Sequence, residues 1–267
     1  MQAERLIGME KVHNHYVNTD SIVRRIWGKA DTILLIFAGA AAEFALNKAV
    51  DWLYFTGRLP SDPLGRLFST VTYAREIIFS STEKANKAID KMKHIHSAVE
   101  NSRGSSIPDA AYRDVLFMLI HYSIAAHEAL ETKLTKGEKE DVVEVFCRVG
   151  NRMGIPQLPS GYEQWVQMYN SHIKNNLVCS SFTADLFKQY RKHLGIIRYF
   201  ILIESQKLVV PNRVKELLQF GQPFLIRHLL KLYRAGRKYK ADHILKFLLL
   251  PPLYKQRISM LDVQPGS

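Results

Sequence analysis

The segment Asp114–Leu130, DVLFMLIHYSIAAHEAL, constrains the fold most, because it is apolar on nearly all sides yet carries no break for seventeen residues. A helix of that kind has no wet face and must be surrounded by other elements. It therefore reads as the central helix of a larger helical assembly. Elsewhere, apolar residues recur every three or four positions and strict alternation is scarce, which predicts an all-α chain of some eight to eleven elements. With 267 residues, 47% of them apolar and 23% charged, the chain has enough material for one large core. The punctuation falls at Thr56–Asp62, Asn101–Pro108, Lys136–Glu138, Gly154–Gly161 and Val210–Asn212. The expected organisation is an N-terminal extension with a first helix over 1–30, a helical core over 31–220, and basic C-terminal helices over 221–267 packed on that core.

Several chemistries lack their motif. There is no Gly-x-Ser-x-Gly, no phosphate-binding glycine loop and no His-Glu-x-x-His. A carboxylate-bridged di-iron site needs paired Glu-x-x-His elements, and Glu10 to His13 supplies one. Cys147 and Cys179 have no metal-site spacing and fit a reducing compartment. Ile33–Leu46 is short for a bilayer span and holds Glu43. The N-terminus, MQAERLIGMEKVHNHY, has no apolar leader, so a cytoplasmic protein is expected.

The net charge of +12 is concentrated late: Ser181–Arg257 has 16 Lys/Arg against four Asp/Glu. Its mixture of leucine, aromatic and cationic residues suits either a core-packed helix with a cationic face or peripheral contact with a membrane surface. Nucleic acid is not the expected partner, since no recognised binding module is present. A non-catalytic basic module for such surfaces is nevertheless the rival to an enzymatic reading.

A helix over residues 80–99 is marked by Ser80 and Glu83 in capping-box spacing, followed by Ala85, Ile89, Met92, His96 and Val99 on one apolar stripe. His96 is expected to face inward. His94 lies roughly 200° away at about 100° per residue, on the wet face with Lys87, Asp90 and Lys91. A histidine on an apolar stripe is either a core residue or a ligand, and periodicity does not decide between them. His127 and Glu128 read as a solvated pair near a helix end. Glu43 and Asp51 are candidate bases without a motif that assigns them one.

From about Ile33 to Val214 the chain presents ILLIFAGAAAEFAL, then DPLGRLFST with the His96 helix, then the Asp114–Leu130 helix, GIPQLPSGYEQW and LVVPNRVKELL. In order and spacing this resembles the catalytic-domain family of the ER-bound oxygenase MpaB and the rubber oxygenase, or latex clearing protein. The resemblance implies an all-α fold around haem b, with iron held by His96 of its His-x-x-Val. It maps the family Arg and Thr onto Arg66 and Thr70, one helical turn apart, as haem-pocket residues. It aligns His121 with the histidine of a Trp-Val-His-like family element; as a buried imidazole that needs a partner, His121 has four roles open to it, second-shell donor, distal-pocket residue, the other axial ligand or a core hydrogen bond. The implied reaction is oxidation or cleavage of a small apolar unsaturated substrate, isoprenoid- or lipid-like, by dioxygen. Two departures stand out. Ser69 occupies the place where rubber oxygenases can carry a lysine able to reach the iron, and Leu46–Asn47 replaces a His-Pro pair common among relatives.

Overall fold

The structure is a computed structural model that describes residues 15–55, 57 and 61–223, excepting the side chains of residues 53, 63, 64, 66 and 67. The Glu10–His13 pair and most of the basic C-terminal region lie outside the described residues. In chain order the helices are α1 (Ile22–Trp27), α2 (Ala30–Leu46), α3 (Asp51–Phe55), α4 (Pro63–Phe79), α5 (Thr82–Arg103), α6 (Asp109–Leu130), α7 (Lys136–Met153), α8 (Tyr162–Asn175), α9 (Ser181–Val209) and α10 (Asn212–Leu217). No strand occurs among the described residues, and the fold is all-α and single-domain, as expected.

The central helix is α6. It packs most extensively against α2, the other helix with little polar surface, and also against α7, α8 and α9. The α2–α6 seam is close enough that a Cβ on Gly39 would sit 2.3 Å from the Tyr122 ring, so only glycine admits this approach. Trp27 closes one end of the core. It is fully buried between Phe37 and Phe146, and its Nε1–H donates to Ser123 Oγ at 3.1 Å. Ala45, Val50, Leu186 and Tyr190 form a second, smaller cluster where α9 crosses the end of α2. None of the described helices is long and apolar enough to cross a membrane. Both cysteines are free thiols.

Two expected boundaries are corrected. The break placed at Lys136–Glu138 is instead the first turn of α7: Thr135 caps it, and Glu138 returns a bond to the Thr135 N–H in a complete capping box. The connection therefore ends at Thr135. For α5 the cap is Ser81, one residue beyond Ser80, with its Oγ accepting the Lys84 N–H. Glu83 turns outward to pair with Lys87 instead of closing a box.

Candidate functional site

Helices α4 and α5 are joined by Ser80 and Ser81 and pack on each other. Arg66 lies near the start of α4 and His96 in the C-terminal half of α5. Thr70, half-buried, follows Arg66 by one turn; the Arg66 side chain lies outside the described residues. His96 is half-buried, not fully inside as the stripe suggested. Ala85, Ala88 and Ile89 are buried, whereas Met92, His96 and Val99 are only partly covered because the core recedes from the C-terminal half of α5. His94 is exposed, as expected.

The His96 ring is held in a defined sense. Its Nδ1 lies 2.9 Å from the Met92 carbonyl, an acceptor only, so Nδ1 carries the proton and donates. The ring also meets the Tyr112 ring edge-on at 5.3 Å, which fixes its plane. A backbone bond on one ring nitrogen is a usual way in which a metal-ligating histidine is oriented.

A second polar site lies inside the core. Glu43, on α2, is fully buried: its Oε2 accepts the Tyr122 hydroxyl at 2.8 Å and the Tyr169 hydroxyl at 2.7 Å, and its Oε1 lies 3.0 Å from His172 Nε2. On the other side of His172, Nδ1 is 2.7 Å from Asp114 Oδ1, a charge contact off the line of a good hydrogen bond. Asp114 in turn accepts from Asn47 Nδ2 at 3.0 Å and Asn176 Nδ2 at 3.1 Å. Three helices, α2, α6 and α8, thus meet at one imidazole clamped between two carboxylates.

The electrostatics follow from this placement. Burial alone would push the His172 imidazole down, but Asp114 and Glu43 outweigh it and raise the pKa to about 9. Burial, reinforced by Glu43, pushes the Tyr122 and Tyr169 phenols well above their ordinary value, so both stay protonated as donors. A raised histidine stabilises the fold fully below its unfolded value near 6.5 and loses that contribution as pH climbs through about 9. Unfolding free energy, measured by denaturant titration, is expected to fall by about 3 kcal/mol across that alkaline window. A flat profile would mean that His172 is neutral in the folded protein.

His121 lies beside this network without joining it. Its ring stacks on Tyr169 at 4.7 Å and meets Tyr122 edge-on at 4.8 Å, and its buried Nε2 has no hydrogen-bond partner. Burial pushes its pKa down against the pull of Glu43, favouring the neutral ring. His127 corrects the expectation of a solvated pair: it is buried, its pKa is lowered chiefly by burial, and Nδ1 has no partner. Its neighbour Glu128 is tied to the Leu134 N–H, Lys133 and Lys139. Asp51 is likewise occupied, by Arg103 at 2.7 Å, whose guanidinium rests 3.9 Å from the Trp52 ring.

Sequence reasoning missed His172 and Tyr169. The signal was there in the spacing of Trp165, Tyr169 and His172 at i, i+4 and i+7, one face of α8. Trp165 stacks on Tyr169 at 5.2 Å, continuing the aromatic face. No cluster of three or more His, Cys, Asp or Glu side chains arranged to hold a metal ion occurs among the described residues.

These features define an all-helical domain with a buried ionic network and, on its α4–α5 hairpin, a histidine whose outer nitrogen is oriented by the backbone. The family model of the ER-bound oxygenase mpaB/B'/rubber oxygenase catalytic domain matches residues 24–238. The chain belongs to that oxygenase family. No curated protein and no solved structure matches it.

Proposed function

We propose that the protein is a haem-b-dependent oxygenase that uses dioxygen to oxidise or cleave a small apolar, unsaturated substrate of isoprenoid or lipid-like character. What supports this reading is the family match over residues 24–238, with His96, its Nδ1 2.9 Å from the Met92 carbonyl, standing in the place of the family's ligand histidine. When bound, haem b supplies the iron that activates dioxygen, chemistry that belongs to the cofactor and not to the polypeptide.

The chain's own residues then have separable roles. His96 would hold the iron. Arg66, permanently charged, supplies the cation for a haem carboxylate or orients the oxygen substrate, and Thr70 offers a hydroxyl donor one turn away. His121, packed against the Tyr122 and Tyr169 rings with its Nε2 unsatisfied, would serve as a second polar residue of the pocket. Ser69 is a poor iron ligand, so no side chain at that position closes the site in the way a lysine does.

The test is an absorbance spectrum with pyridine haemochrome quantification on protein from haem-supplied cells, alongside His96→Ala. Wild-type protein is expected to carry about one haem per chain with a Soret band, and the substituted protein, folded by circular dichroism, to lose it. Stoichiometric haem in folded His96→Ala, or none in folded wild-type, overturns the assignment.

A further inference from the structure

We propose that the break in α9 is a docking surface for an anionic lipid membrane. The helix is interrupted at Gly195, whose φ of 73° and ψ of 171° are not helical and lie where glycine is favoured. Immediately after the break the chain turns large apolar side chains to solvent: Ile196 and Ile197 are each 72% exposed and Phe200 is 49% exposed. Such a group at a kink does not serve the core, which on this helix is met by Leu186 and Tyr190 before the break and by Val209 after it.

The surrounding charge identifies the partner. From residue 186 to residue 203 the chain contains Lys188, Arg191, Lys192 and Arg198 and no acidic residue. Lys188, Arg191 and Lys192 are exposed. Aliphatic and aromatic side chains flanked by cations on one stretch of helix match the layering of a membrane interface, where apolar groups enter the acyl boundary and Lys/Arg meet anionic headgroups. A stable protein dimer needs about 800 Å² from each partner, more than three side chains offer, whereas interfacial anchoring needs only such a small insertion. The inference stands on α9 alone and does not depend on haem. It provides a means by which a protein acting on lipid-dissolved molecules reaches them.

Co-sedimentation of the full chain with phosphatidylcholine vesicles, with and without phosphatidylserine, tests it. Wild-type protein is expected to partition onto the phosphatidylserine vesicles and to be released by salt. The combined Ile196→Ser, Ile197→Ser, Phe200→Ser variant should bind about tenfold more weakly with an unchanged thermal transition, since it removes exposed side chains. Lys188→Glu with Arg191→Glu and Lys192→Glu should abolish the preference for phosphatidylserine. No binding by wild-type, or variants that bind as well as wild-type, overturns the proposal. So does a serine variant that melts earlier while binding normally, because the face is then covered by the protein itself. Haem content is the same in every arm, so failure here is distinguishable from failure of the oxygenase reading.

Discussion

Replacing His172 with alanine is expected to destabilise the protein by about 3–5 kcal/mol, the cost of removing one member from a buried charged set. The substitution leaves Glu43 and Asp114 without their shared cation in a region closed to water, and removes an imidazole that is itself buried. Against a typical total of about 5–15 kcal/mol, this loss is visible as a large shift in the urea midpoint with little change in slope. His172→Gln, which retains a donor toward one carboxylate, should lose less. A His172→Ala loss below about 1 kcal/mol would show that water enters and that the network is not closed. The same variant should abolish the alkaline fall in stability, because the titrating group is gone.

Trp27→Ala is the second large effect, expected at about 3–5 kcal/mol from lost burial and the cavity left behind. The indole is fully buried, contacts Phe37 and Phe146, and bonds Ser123. Truncation therefore also leaves the buried Ser123 hydroxyl without this partner, a further cost of about 1–3 kcal/mol where no water replaces it. Trp27→Phe, which refills most of the volume but not the hydrogen bond, separates the two contributions. Equal losses in the alanine and phenylalanine variants would assign the effect to the hydrogen bond and not to packing.

The helices were legible because each carries a local signature: apolar spacing along α2 and α5, glycine at the ends of α5 and α7, proline opening α4 and preceding α10. The central position of α6 was legible for the same reason, since a helix without a wet face has one place to go. The boundary at Thr135 was obscured because Lys136 to Glu138 look like loop residues until the capping box is seen. His96 was placed on its face by spacing, but how deep that face lies depends on which helices stand opposite, and periodicity carries no such information. The Glu43 network escaped for a stronger reason. Glu43 and His172 are 129 residues apart, and Tyr122 meets Glu43 across 79. No short motif encodes such a meeting; only the crossing of α2, α6 and α8 brings it about.

The arrangement around Asp114 has a consequence for how the molecule opens. Asp114 accepts from Asn47 at the end of α2 and from Asn176 just past α8, while the backbone joins the same two segments through Lys48 N–H to Asn176 and Val178 N–H to Leu46. The last turn of α2, the start of α6 and the exit of α8 are thereby fastened at one point. None of these ends can fray singly without stripping a buried carboxylate of its donors, so the three release together or not at all. Transient access to the interior is consequently directed away from this knot, toward the hairpin arms where the core recedes and His96 stands half-covered.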